Sequence, residues 1–550
     1  MKKALFPLLI LICVLAGINW WASNSHLQWD LTEDRRYSIS DATISMLESL
    51  DQDIQVNVFL AGSFPPGFER LERATANTLE AFKKYSNGRV HFQFTDPSDA
   101  SSETQRQEQY KSLIEQGLMP TNLFANEEGK RTEKTIFPGA ILKMDTLSVA
   151  VQLLKGNKSA SAEEQLNQSY EGVEFELASA IRVLMNPERK KVGLIVSHTL
   201  ISPARLSDLI ASIQQQFDVF MDMNNPESYD GLDAILVLKP DSAFSESDLY
   251  KLDQYIVNGG KAIFFTDGAR VDSVSLEGTY AQPLQLNLEA LFFKWGLRVN
   301  YDLVKDLNAS QILLNTGNMG DKPQLEPLPW RFYPLLNHFG DHVISSNINA
   351  VSTRFLSSID TVGGADGILK TPLLMTSEYT QTVNTPALVG YNEARKQPDP
   401  SEYRGGSKLA GLLLEGSFSS IFENRILPQD PRSATFKSKG EPGKVIVCSD
   451  GDIVVNDIDY KRNAPLPLGY DRLSGNTYGN KDFVMLALDY LTDANGLISA
   501  RNKDVAIRPL DRIKIQESRR SWQALNIAVP LLLLAIFGAI RHYFRIRKFT

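Results

Sequence analysis

Two apolar segments, one at each extremity, constrain this 550-residue chain more than anything between them. Ala4 to Trp21 is almost unbroken hydrocarbon, and Ala524 to Ile540 repeats the pattern. About 20 helical residues at ~1.5 Å each match a hydrocarbon core of roughly 30 Å. The sequence therefore predicts transmembrane helices over 4–22 and 522–540, with everything between them on one side of a membrane.

The first segment reads as an uncleaved signal anchor. Lys2 and Lys3 supply a basic start, but Ala22-Ser23-Asn24 is a poor small-x-small cleavage site. Trp20 and Trp21 close this span and Trp522 opens the other, as amphipathic rings do at the headgroup level. Lys2 and Lys3 at one end, and Arg541, Arg545, Arg547 and Lys548 at the other, place both tails in the cytoplasm. The bulk then faces the periplasm, from the inner membrane of a Gram-negative cell. Without the six basic residues of the tails, a net charge of −8 becomes −14, which argues against a nucleic-acid partner. The two cysteines, Cys13 in the membrane and Cys448 in a predicted strand, cannot pair within one folded chain.

Between the spans the hydrophobic period changes repeatedly. Ser40 reads as a helix N-cap, followed by Ile44, Leu47 and Leu50 on one face. Ile54, Val56, Val58 and Leu60 alternate, Leu71, Thr75, Leu79 and Phe82 recur at helical spacing, and Val90, Phe92 and Phe94 alternate again. This β-α-β order, with hairpin-like strands to about Leu154, suggests a thioredoxin-like domain over 30–154 that lacks any Cys-x-x-Cys pair. The polar stretch 155–168 reads as a linker.

A second α/β domain spans 170–500. Lys191–Ser197, Ala234–Leu238 and Lys261–Thr266 are short continuous apolar runs separated by amphipathic helices, which argues a doubly wound, largely parallel sheet. Ser245 to Asp248 has capping-box spacing, and Gly259-Gly260 stops the helix that follows. Leu373–Met375, Ala410–Leu414 and Lys444–Cys448 read as further strands. The charged, Pro- and Gly-rich stretch 392–408 reads as a loop that is disordered or ordered by a partner.

Several segments resemble the GldG family of gliding-motility-associated ABC transporter components. They are Asp30-Leu31-Thr32 with Arg36-Tyr37-Ser38-Ile39-Ser40, Phe64-Pro65-Pro66-Gly67-Phe68, Asp248 to Gly260, and Arg508-Pro509-Leu510-Asp511 with Trp522, Asn526 and Pro530. The resemblance covers almost the whole chain. It implies an auxiliary, substrate-binding-like subunit working with a separate permease and ATPase in bacteroidete gliding motility. It also implies a central domain related in fold to glutamine amidotransferase-like and flavodoxin-like sheets. Those amidotransferases carry a Cys on a strand-to-helix turn, where this chain has Asp267-Gly268, so their chemistry does not transfer.

No other chemistry has a strong sequence signal. ATP hydrolysis needs a Gly-rich loop ending in Lys and a hydroxyl; Gly475 to Lys481 has the wrong spacing and is followed by Asp482. Cys448 lacks an assigned His partner and reads as a buried small hydrophobe rather than a nucleophile. His338 and His342 have i, i+4 spacing, but Gly340 between them makes a metal-binding helix a poor reading. Asp450-Gly451-Asp452 offers paired carboxylates, yet the following Ile453-Val454-Val455 breaks a calcium loop. In open α/β sheets ligands sit beyond the carboxyl ends of strands. Asp267, Asp450 and Asp452 are therefore the candidate ligand or partner rim, with capping and turn formation the favoured explanation for them. The expectation is a protein without catalytic residues, cofactor or metal. It is doubly anchored beside an ABC permease and ATPase, with cargo and small-molecule ligand unknown; the alternative is a cell-envelope scaffold.

Overall fold

The computed structural model describes residues 39–493 apart from single positions and short stretches, the longest being 155–161, and residues 528–542 apart from 533 and 540. The chain divides into two compact units, Met1–Arg36 with Asp504–Thr550, and Tyr37–Lys503. Lys2, Lys3, Trp20, Trp21, Trp522, Arg545, Arg547 and Lys548, and with them the whole first span, lie outside the described residues. Within the predicted second span Leu531, Leu532, Leu534 and Phe537 are helical and exposed, as is Arg541 beyond it. Among the described residues no helix is long and apolar enough to cross a membrane.

In the unit Tyr37–Lys503, α1 (Asp41–Glu48) begins where the sequence places a cap: the Ser40 hydroxyl accepts from the Thr43 N–H at 3.2 Å. β1 (Ile54–Val58) and β2 (Val90–Phe94) pair in parallel across α2 (Pro66–Tyr85), as their alternating apolar residues predict. After α3 (Glu103–Glu115) and the hairpin β3 (Thr121–Glu127) and β4 (Lys130–Ile136), the antiparallel strands β5 (Gly139–Met144) and β6 (Leu147–Gln152) complete a four-stranded sheet in the order β2-β1-β5-β6. Leu71, Leu79 and Phe82 of α2 share one core with Leu177, Ile181 and Leu184 of the long α4 (Ala162–Met185). The predicted linker is thus shorter than expected, because α4 begins inside it.

The larger sheet is mixed. β7 (Lys191–Ile195), β8 (Asp218–Met221), β9 (Ala234–Leu238), β10 (Lys261–Phe265) and the strand Lys439–Cys448 run parallel in the spatial order β8-β7-β9-β10-Lys439–Cys448. Beyond them the strands Leu409–Ser419, Ile368–Met375, Ile359–Thr361 and Leu297–Val299 pair antiparallel. Both faces of β7, β9 and β10 are covered, which is why these segments are almost continuously apolar, whereas β8 at the edge leaves Phe220 and Met221 exposed. Leu194, Leu236, Leu238, Ile263 and Phe265 face α5 (Ser207–Gln214), where Leu209 and Ile213 are buried, and the helix Asn480–Thr492. The alternate residues Ile235, Val237, Ala262 and Phe264 face α6 (Glu246–Val257) and α7 (Glu289–Lys294). Residues 392–408, read from the sequence as disordered or partner-ordered, are instead held within the chain. Glu393 pairs with Lys305 at 2.7 Å, Tyr403 is buried, and the Gly405 N–H donates to the Thr380 carbonyl at 2.8 Å.

Candidate functional site

Parallel neighbours bring their exits to one edge, and here three of them deliver charge there. β9 runs directly into Lys239, β10 into Thr266-Asp267, and Lys439–Cys448 into Ser449-Asp450. The Lys239 ammonium lies 3.0 Å from Asp267 Oδ2 and 2.5 Å from Asp452 Oδ2. The Gly451 N–H donates to Asp267 Oδ1 at 2.7 Å. The Asp452 N–H donates to Asp450 Oδ1 and the Arg354 N–H to Asp450 Oδ2, both at 2.6 Å. Gly451 is glycine for a packing reason: a Cβ there would stand 2.4 Å from Lys239 Cγ. Lys239 itself adopts the left-handed backbone conformation, φ +43°, that aims its side chain inward. Arg354 and Arg205 converge on Asp457 beside the cluster, at 3.1 and 3.4 Å.

The electrostatics divide the three aspartates. Burial pushes Asp450 well above the usual carboxylate range, reinforced by Asp452 and Asp267. Burial also raises Asp267, against the opposing pull of Lys239. Asp452 is held low: burial resists its ionisation, but Lys239 and Arg354 outweigh it. Lys239 is likewise held charged, the Asp267 and Asp452 carboxylates overcoming its burial. The predicted rim residues Asp267, Asp450 and Asp452 are therefore brought together. An internal ammonium, that of Lys239, stands between Asp267 and Asp452. The Cys448 thiol, one strand position before this turn, is fully buried, and burial pushes its pKa up, away from nucleophilic chemistry. His338 lies in a two-residue strand and His342 in the loop after it, so no helix sets them on one face.

Asp267 has a second side. With Thr266 and Gly268 it closes one end of a cavity of about 840 Å³. Its apolar wall is built by Leu284, Leu286 and Leu288, buried residues of the segment that leads into α7, and by the buried Phe292 of α7 itself. Its mouth is polar and aromatic. Arg298 pairs with Asp360 at 2.8 Å, and the Tyr301 hydroxyl donates to Glu289 Oε1 at 2.6 Å. Phe293, also lining the mouth, is 62% exposed. Sequence reasoning found Asp267 but none of this cavity. Lys239, at the end of an all-apolar strand, was equally missed.

A third cluster was also missed. At the β7 exit the Ser197 hydroxyl donates to Asp222 Oδ2 at 2.5 Å and lies 2.8 Å from His198 Nδ1. His198 stacks on Phe244, ring centroids 3.9 Å apart, with Nε2 3.5 Å from Asp248. The residue types are those of a hydrolytic triad. The serine proton, however, is committed to Asp222 rather than to a base, so the geometry ties the β7 and β8 exits together.

Residues 189–487 match the model of the family described as ABC-type uncharacterized transport system, and residues 33–143 match a domain of unknown function, DUF7088. The chain belongs to that ABC-type transport system family. As a member, it is an auxiliary component of an ABC transport system. No curated protein matches it. Among solved structures it is similar to the mmIFT52 N-terminal domain, at 11% identity, covering 55% of this chain and 97% of that one with a TM-score of 0.30.

Proposed function

We propose that this chain is a non-enzymatic, doubly anchored subunit of an ABC transport complex, with its bulk in the periplasm. It works with a separate permease and ATPase to support gliding motility in Bacteroidetes. The observation that carries the reading is the family match over 189–487 in a chain whose sequence holds no phosphate-cradling Walker loop, so that ATP hydrolysis falls to another subunit. The terminal apolar segments supply the anchors, and the resemblance at Asp30–Ser40 and Asp248–Gly260 supplies the motility context.

The order of the parallel strands, with the first lying between the second and third, supports a flavodoxin-like or amidotransferase-like ancestry for 170–500. The β-α-β unit followed by a β-hairpin supports a thioredoxin-like reading for 30–154. Co-purification tests the role: after mild detergent extraction the chain should retain a permease and an ATPase, and a chain that retains neither refutes it. A scaffold without ligand is the second reading, favoured by the way Asp267 and Asp452 are occupied by Lys239. Native mass spectrometry separates the two, since only the first allows a retained small molecule.

A further inference from the structure

The cavity beside Asp267 has features that select a ligand by charge. About 840 Å³ is within the range of pockets that enclose drug-sized molecules, and far more than a lone ion fills. Its deep wall of three leucines and Phe292 offers nothing polar, so the part of a ligand lying there is apolar.

The mouth holds two acidic side chains that differ in their partners. Asp360 is matched by Arg298, and that pair is self-neutralising. Glu289 has no basic partner among the described residues; its Oε1 accepts from the Tyr301 hydroxyl and from the Leu286 N–H at 3.3 Å. These donors fix the carboxylate without cancelling its charge. Burial, followed by the Glu289 contact, raises the Tyr301 pKa, so the phenol keeps its proton and goes on donating. Of the other carboxylates in the wall, Asp267 is paired with Lys239. Asp302, accepting from the Ser358 N–H and hydroxyl at 2.8 and 2.6 Å, is pushed up by burial.

Aromatic side chains neighbour the uncompensated charge. Phe293 stands one helical turn after Glu289 on α7, hence on the same face, and its ring is exposed. Tyr301 reaches Glu289 through its hydroxyl. A carboxylate fixed beside an exposed aromatic ring is a setting that attracts an organic cation, since the ring face adds to the attraction.

We infer that this cavity binds an amphipathic organic cation, its ammonium or guanidinium group held by Glu289 beside Phe293 and its apolar body lying against Leu284, Leu286, Leu288 and Phe292. The binding itself is independent of the transport reading; only the ligand's role as cargo rests on it.

Three probes of matched shape test this: 4-phenylbutylammonium, 4-phenylbutanol and 4-phenylbutyrate, titrated calorimetrically into the purified full chain with its lipid nanodisc alone as blank. The ammonium should bind at least about tenfold more tightly than the carboxylate, the alcohol falling between. Glu289→Gln should weaken the ammonium about tenfold and leave the alcohol within about twofold, whereas Phe293→Ala should weaken both. Equal affinities for the three probes, absence of binding by all of them, or an ammonium affinity unchanged in a folded Glu289→Gln variant would each overturn the inference. If Glu289→Gln does not fold, the charge series on the unaltered chain decides alone. Retention of the permease by Glu289→Gln would keep the accessory role standing even where the binding result fails.

Discussion

Lys239 shows how one side chain can organise the exits of three strands. Its ammonium joins Asp267 to Asp452, and Asp267 in turn fixes the Gly451 N–H. Removing one member of a largely buried ion network leaves the others uncompensated, which is worse than never having built it. Lys239→Met should therefore lower stability by about 3 kcal/mol, read as a drop in the denaturant midpoint. A midpoint within error of the parent would show that solvent already screens the cluster. Asp450 gives a pH test with a defined sign. Its carboxyl is raised by burial, so between about 3.9, the unfolded value, and the higher native value the folded chain binds a proton that the unfolded chain has released. Stability from this group is present below that window and lost as pH rises through it, by up to about 1.4 kcal/mol per pH unit. The stability of the parent relative to Asp450→Asn should accordingly shrink as pH climbs from about 4 toward neutrality, and a flat or rising difference contradicts the assignment. The aspartates were legible because Asp-Gly turns after apolar runs announce strand exits. Their partner was not, because a lysine at a strand end looks the same in sequence whether it is solvated or turned inward.

At the scale of elements, α6 was the most legible piece, and its details have physical content beyond the motif. The Ser245 hydroxyl accepts from the Asp248 N–H at 3.2 Å, as capping-box spacing predicts. Further along, Asp253 is fully buried and accepts from the Ser420 hydroxyl at 2.5 Å and the Ile421 N–H at 2.9 Å, riveting the helix to the end of the strand Leu409–Ser419. Asp253→Ala should cost about 2–3 kcal/mol in urea unfolding, because both donors would be left unsatisfied. The stop at Gly259-Gly260 is equally specific. Gly259 has φ +87°, and a Cβ on Gly260 would meet the Tyr255 carbonyl oxygen at 2.4 Å. Gly260→Ala should thus be destabilising by about 2 kcal/mol, where an ordinary surface glycine replaced by alanine would be neutral. The long hairpin Ala309–Met319 and Lys322–Leu336 was not legible at all. Pro323, Pro327, Pro329 and Pro334 argue against a strand by the usual rule, yet they pair opposite Asn318, Leu313, Gln311 and Ala309. Among the described residues only Leu335 and Leu336 of this strand pair with a third strand, Val351–Ser352, so Pro323, Pro327 and Pro329 lie where it has one neighbour. A proline there loses no ladder bond when its nitrogen faces away from that neighbour, and periodicity alone cannot distinguish the case.

On the proposed double anchoring, the decisive matter for the whole molecule is the side of the membrane on which the unit Tyr37–Lys503 lies, and its chemistry makes this measurable. Cys448 is fully buried with its thiol held protonated, and Cys13 falls within the proposed first span, so the natural chain should be almost silent to a membrane-impermeant maleimide. Leu200, in the loop after β7, is 87% exposed, and replacing it removes little buried apolar area. Leu200→Cys should therefore label in cells whose outer membrane alone has been permeabilised, while the parent chain does not. Labelling only after the inner membrane is also broken would put the sheet domain in the cytoplasm and overturn the positive-inside argument from Lys2, Lys3 and the basic C-terminal tail. It would also remove any periplasmic cargo from consideration, because the mouth formed by Glu289, Phe293 and Tyr301 would then open to cytoplasmic solutes. The same experiment thus decides from which side an amphipathic cation reaches the cavity, whatever its affinity proves to be.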